Sequence, residues 1–110
     1  MPVVLERVRA GEEDPPCADC GGILKSDTIS FGQPLVPGVI ARAMRAAAET
    51  DCLIAVGSSL QVYPIAAAVP GAKHAGASLI IVNAQPTPFD GLADVTLHDP
   101  ISTVLPALLE

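Results

Sequence analysis

The sequence predicts an α/β protein built around a doubly wound parallel sheet, and three observations carry that prediction. Two continuous apolar runs, Cys52–Val56 and Ser78–Val82, have the length and composition of strands buried in a parallel sheet. Each run gives way at once to a polar turn, Gly57–Ser58–Ser59 after the first and Asn83 after the second. Helical segments alternate with the strands in the order helix–strand–helix–strand–loop–strand–helix, which reads as the second half of such a fold.

Taken in order, Leu5–Ala10 reads as the end of a helix closed by Gly11. Glu12–Glu13–Asp14–Pro15–Pro16 is a polar linker. Cys17–Ala18–Asp19–Cys20–Gly21–Gly22 has the spelling of a knuckle-like turn, after which Ile23–Leu24 is expected to begin a short strand. Thr28–Ile29–Ser30–Phe31 alternates weakly and is expected to be a strand, stopped by Gly32 and Pro34. From Pro37 to Glu49 the chain reads as an amphipathic helix. Its apolar stripe is Val39, Ile40, Ala43, Met44 and Ala47, with Arg42, Arg45 and Glu49 outside.

The strand Cys52–Val56 follows, and Cys52 is expected to be a small buried hydrophobe within it. Pro64–Ala75 is helical in pattern, with a break expected at Pro70 and a stop at Gly76. After Ser78–Val82, the stretch Asn83–Asp90 is a proline-containing loop and Val95–Leu97 a short strand. Asp99–Pro100 is expected to cap the last helix, with the proline at its first position. Ile101, Val104, Leu105 and Leu108 give that helix its apolar face.

At 110 residues the chain holds at most one complete domain. Half of it is hydrophobic and 16% is charged, so it is globular rather than disordered. The only aromatic residues are Phe31, Tyr63 and Phe89, so the core is expected to be Val, Ile, Leu and Ala. A net charge of −6 argues against nonspecific binding to nucleic acid or to an anionic membrane surface. No apolar run approaches the ~18 residues of a membrane-spanning helix. The stretch Met1–Arg7 lacks the basic-then-apolar pattern of a signal peptide, so a cytoplasmic location is expected. Without export signals, three cysteines are not a disulfide framework.

Two motifs carry chemistry. In the first, Gly57 lets the backbone approach a ligand closely. The turn's N–H groups and the Ser58 and Ser59 hydroxyls can hold a phosphate or a ribose. Asn83 is expected at the same carboxyl edge of the sheet, where open α/β sheets bind ligands. Gly–Ser–Ser alone is also the spelling of a plain turn, and Asn is a common turn residue. In the second motif, Cys17 and Cys20 fit two of the four ligands of a tetrahedral zinc ribbon. His74 and His98 lack ligand spacing to them and read as surface residues. A thioredoxin-like redox pair is the rival reading, but Gly21–Gly22 breaks the helix such a pair requires.

Together, Cys17-x-x-Cys20–Gly–Gly, Phe31–Gly32–Gln33, the run Gly57–Ser58–Ser59–Leu60–Gln61–Val62–Tyr63–Pro64 and Val82–Asn83 closely resemble the motifs of the sirtuins, NAD-dependent protein deacylases, in the family's order. The likeness runs from Leu5 to Leu108. It implies the C-terminal half of a Rossmann-like doubly wound sheet in residues 35–110. Residues 1–34 would hold the second half of a small zinc-ribbon module and part of a peptide cleft.

For the cofactor NAD, the resemblance implies contacts from Gly57, Ser58, Ser59, Asn83, Ala84, Gln85 and Ile101, with Asn83 at the adenosine ribose. For an acyl-lysine peptide added as a strand, it implies Phe31, Gly32 and Gln33 on one side and Leu60, Gln61 and Val62 on the other. Cys17 and Cys20 would be half of a zinc site. Gln33 stands where the family more often has Glu, and Ser58 where it more often has Thr.

The resemblance also implies what these residues do not supply. The family's general-base histidine, its Gly–Ala–Gly phosphate loop and its first CxxC precede the zinc ribbon, and neither His74 nor His98 matches that histidine. No catalytic residue is therefore assigned here, and the chain is expected to need a complementing N-terminal half or to self-associate. An unpaired strand edge and exposed aliphatic surface are expected. The alternatives are a non-catalytic fragment that binds a nucleotide or a partner, and a small redox or metal protein using Cys17 and Cys20.

Overall fold

The computed structural model describes residues 2–110, which form two compact units, one ending at Pro34 and the other Leu35–Glu110. In the first unit, helix α1 spans Pro2–Arg9. Its end is closed by the paired bonds of a Schellman turn, Glu12 N–H to the Arg7 carbonyl (3.1 Å) and Gly11 N–H to Val8 (3.0 Å). Arg7 then reaches forward, pairing both of its fork nitrogens with the Glu12 carboxylate at 2.7 Å and donating to the Pro16 carbonyl at 3.0 Å. Helix end, acidic linker and the residue before Cys17 are thereby tied together.

The expected strands at Ile23–Leu24 and Thr28–Phe31 do not form. A strand needs a ladder partner, and no described segment pairs with either. Lys25 instead donates to the Ser26 and Thr28 carbonyls, closing this stretch on itself.

The second unit is built on a three-stranded parallel sheet, β1 (Cys52–Val56), β2 (Ser78–Val82) and β3 (Val95–Leu97), in that spatial order. Cys52 pairs with Ser78 and Val56 with Val82, so the first two strands end level with each other. Helix α2 spans Pro37–Glu49 as its periodicity predicts. A 3-10 turn, Ile65–Ala67, runs into α3 (Ala68–His74), and α4 spans Ile101–Leu108. Among the described residues no helix is long and apolar enough to cross a membrane.

Two clusters make the core, and both are aliphatic, as the composition requires. Leu60, Val69, Leu79 and Ile81 pack above the sheet, with Phe89 at their margin. Ala47, Ala68, Ala72 and Ala77 form the second, where small side chains let α2 and α3 approach. Gly76, with φ of 99°, closes α3 through a second Schellman pair, Ala77 N–H to Ala72 (3.0 Å) and Gly76 N–H to Lys73 (3.1 Å).

Four expectations in this unit need correction. Cys52 is exposed, not buried. It lies on the uncovered side of the edge strand β1 with Ile54 (53% exposed) and Val56, so the apolar run has one wet face. Pro70 does not break its helix, because it falls in the first turn of α3, where a missing N–H leaves no bond unmade. Asp99 makes no capping bond. Pro100 itself occupies the N-cap, and its carbonyl accepts from Thr103 and Val104. On α4 only Val104 is fully buried, and Leu105 and Leu108 face outward.

Candidate functional site at the carboxyl edge of the sheet

The level ends of β1 and β2 bring the two polar turns side by side. Gly57 N–H donates to the Val82 carbonyl at 2.8 Å, which fastens the first turn to the last residue of β2. Gly57 adopts φ of 64°, a left-handed conformation that turns the chain sharply out of the strand. Ser58 and Ser59 follow on the exposed surface. Ser58 Oγ accepts from Leu60 N–H at 3.2 Å, which leaves its hydroxyl proton free to donate to a ligand.

Leu60 is itself left-handed (φ 56°), yet its side chain is only 8% exposed and packs on Val69, Leu79 and Ile81. Core burial thus holds an unfavourable backbone and presents Ser58 and Ser59 outward.

Asn83 is set by three bonds. Its N–H donates to the Leu97 carbonyl at 3.0 Å, its carbonyl lies 2.7 Å from His98 Nδ1, and its side-chain Nδ2 donates to the Gln85 carbonyl at 2.9 Å. The Oδ1 end of the amide keeps its acceptor capacity. Further along the loop, Thr87 Oγ1 donates to Asp90 Oδ1, and His98 Nε2 sits 3.5 Å from Asp90 Oδ2. The Thr87 hydroxyl first, then the Thr87 backbone and last the neighbouring His98, hold the Asp90 carboxyl below the usual carboxylate range. Ile101, at the start of α4, leans over Gly57.

Gly57, Ser58, Ser59, Asn83 and Ile101 therefore converge on one edge. Ala84 and Gln85 lie exposed beside them. The unit's apolar groove, of about 500 Å³, is a different feature. It runs along β1, lined by Ala43, Ala47, Leu53, Ala55 and Ala68, and reaches the candidate site residues at Ser58, Leu60 and Val62.

The residues suggested for a peptide are divided between the units. Gln61 and Val62 are exposed in the second, whereas the Leu60 side chain belongs to the core and leaves only its backbone to face a ligand. In the first unit, Phe31 is 93% exposed. Gln33 closes its own turn, its Oε1 accepting from Ser30 N–H at 2.8 Å.

Cys17 and Cys20 share a tight turn, closed by Gly21 N–H to the Cys17 carbonyl and Cys17 N–H to the Gly22 carbonyl, both at 2.9 Å. The backbone amides of Cys20 and Asp19, and the Cys20 thiol, lower the Cys17 thiol below its ordinary value and favour the thiolate that binds metals. Among the described residues no group of three or more His, Cys, Asp or Glu is assembled to hold a metal ion. The pair has the right chemistry for half of a tetrahedral site and no more.

The chain matches the Sir2 family over residues 3–64. It belongs to that family. It is 50% identical to "NAD-dependent protein deacetylase 2" of Streptomyces coelicolor, a match covering 99% of this chain and 45% of that protein. It is 45% identical to "NAD-dependent protein deacetylase" of Sulfolobus acidocaldarius, covering 96% of this chain and 41% of that one.

Among solved structures, the Sir2 protein described as "Sir2Af2 bound to a myristoylated histone peptide" superposes with a TM-score of 0.79 at 38% identity, over 96% of this chain and 46% of that one. "Sir2-p53 peptide-NAD+" superposes with a TM-score of 0.75 at 26% identity, over 96% and 43%. The chain thus spans less than half the length of the Sir2 relatives it matches, and its parallel sheet has the fold of the sirtuin Rossmann-like domain.

Sequence reasoning missed the contacts that hold the Asn83 loop. His98 meets the Asn83 carbonyl across 15 residues, and no local spacing announces such a pair. It also missed Asp94, which accepts from Lys73 Nζ at 2.7 Å and from Leu79 N–H at 2.8 Å, pinning α3 to the sheet.

Proposed function

We propose that this Sir2 chain supplies the ribose-binding edge of an NAD site and part of an acyl-lysine peptide cleft in an NAD-dependent protein deacylase. The observation that carries the reading is the meeting of Gly57–Ser59 and Asn83 at the level ends of adjacent parallel strands. Hydroxyls and a side-chain amide at that edge suit the vicinal hydroxyls of a ribose. The reaction proposed for the whole enzyme is transfer of the lysine acyl group to the ADP-ribose of NAD, with release of nicotinamide.

Within it, this chain's residues bind and orient and do not carry the proton transfer. Ser58 and Ser59 donate to the cofactor, Asn83 grips the adenosine ribose, and Ile101 covers the turn. Gln61, Val62 and the Leu60 backbone, with Phe31, Gly32 and Gln33, are proposed for the peptide. Cys17 and Cys20 are proposed as two ligands of a structural zinc. Such an ion needs two further ligands that the described residues do not bring to it.

The test is complementation. An N-terminal Sir2 segment carrying the Gly–Ala–Gly loop and the general-base histidine is added in trans, and nicotinamide release from NAD is followed with an acetyl-lysine peptide. Activity that appears only with both pieces, and that falls with Asn83→Ala, supports the enzyme reading. No activity from two soluble, folded pieces favours a non-catalytic binding role.

A further inference from the structure

The imidazole of His98 touches two parts of the loop that leaves β2. Nδ1 lies 2.7 Å from the carbonyl oxygen of Asn83, and Nε2 lies 3.5 Å from Asp90 Oδ2. A carbonyl only accepts, so the short contact places a proton on Nδ1. In the neutral ring Nε2 then carries a lone pair toward a carboxylate. In the imidazolium both nitrogens donate, and both contacts become attractive. Asp90 is the ionisable group opposite the ring, and Thr87 Oγ1 holds its other oxygen. Asp99 adjoins His98 in the chain. The bracket closes around Asn83, whose N–H is held by Leu97 and whose side chain is turned by Gln85.

We infer that His98 is a positioning residue for the ribose-binding end of Asn83, latching the Asn83–Asp90 loop to β3 and holding it tightest as the imidazolium. This rests on the proposed cofactor reading only for what Asn83 grips. The latch itself rests on the contacts.

Two readouts on the whole chain separate the latch from the cofactor reading. In the first, backbone and side-chain amide resonances of Asn83 and the backbone amide of Gln85 are followed by NMR from about pH 8 down to 5.5. They should move with the His98 ring protons. His98→Ala should abolish the movement. His98→Asn, which keeps an N–H near the Nδ1 position, should restore the loop's resonances to near their wild-type positions without any titration.

In the second, ADP-ribose affinity is measured over the same range. Wild type should tighten about threefold on acidification. The alanine variant should be weaker and flat, and the asparagine variant intermediate and flat. Amides that ignore His98 overturn the latch, whatever the affinity. Amides that follow His98 while ADP-ribose binds at no pH overturn the cofactor reading and leave the latch. Affinity that is flat in wild type and unchanged in His98→Ala overturns the positioning role.

Discussion

Ile101 closes directly over Gly57: an ideal Cβ built on Gly57 would stand 2.9 Å from Ile101 Cδ1. The two residues belong to the turn after β1 and the first turn of α4. The missing side chain at 57 is thus what lets the last helix start against the polar edge. Gly57→Ala meets two costs there. The left-handed φ of 64° costs a non-glycine residue about 1–2 kcal/mol. The clash is smaller, because Cδ1 is the mobile end of its side chain and can swing aside. Chemical denaturation should therefore show a loss near that range. Ile101→Val in the same background should recover only a small part of it. Full recovery would mean that contact, not backbone, sets the requirement for glycine.

The strands, α2 and the polar turns were legible because each rests on a local pattern. An apolar run followed by Gly57 or Asn83 needs no knowledge of its neighbours. What was illegible depends on what lies across the sheet. Cys52 and Ile54 carry the same apolar lettering as Leu79 and Ile81, yet they lie on the opposite face of the sheet, in register with Ser78 and Ile80, where the edge strand β1 is exposed. Thr28–Phe31 has strand-like alternation and no partner, so propensity alone made no strand. His98 and Asp94 were invisible as structural residues because their partners lie 15 residues away in the chain.

Leu79 has no exposed surface and sits at the centre of a core only three strands wide. Leu79→Ala should remove about 2–5 kcal/mol. For a unit this small that is most of the stability expected, so the variant should lose its cooperative thermal transition. A transition shifted by only a few degrees would mean that the groove beside β1 lets the core collapse onto the cavity.

The Asp94 carboxyl is held below its usual value chiefly by its hydrogen bond to Lys73, then by the Leu79 N–H. A depressed carboxylate pKa contributes stability above the unfolded value, about 3.9, and loses it as pH falls through the folded value. The melting temperature should thus drop on acidification below about pH 4. Asp94→Asn keeps an acceptor for Leu79 but loses the charge. Its melting temperature should be lower than wild type at neutral pH, with the gap closing in acid. A gap constant with pH would show that the ion pair is not the source.

Cys17 and Cys52 offer an internal comparison of thiol reactivity. Cys52 is the more exposed, but the backbone amides of Cys20 and Asp19 lower the Cys17 thiol. Thiolate is the reacting form, so at neutral pH Cys17 should be alkylated faster, as read by peptide mass spectrometry. Added Zn²⁺ should slow Cys17 and Cys20 and leave Cys52 unchanged. Equal slowing of all three would argue against the pair as a metal half-site.

Leu60 sets backbone cost against core burial at one position. Its φ of 56° favours glycine, while its side chain is 8% exposed among Val69, Leu79 and Ile81. Leu60→Gly relieves a left-handed strain of about 1–2 kcal/mol. It also forfeits about 2–5 kcal/mol of packing. Burial wins, so the variant should be less stable by a net one to a few kcal/mol in denaturant. Ser58 and Ser59 are held outward by this anchored turn, so ADP-ribose affinity should fall together with stability. Leu60→Met keeps the volume and the same φ and should leave both close to wild type. If Leu60→Gly proves as stable as wild type, the backbone term dominates. The polar edge is then shaped by the turn itself and not by the leucine beneath it.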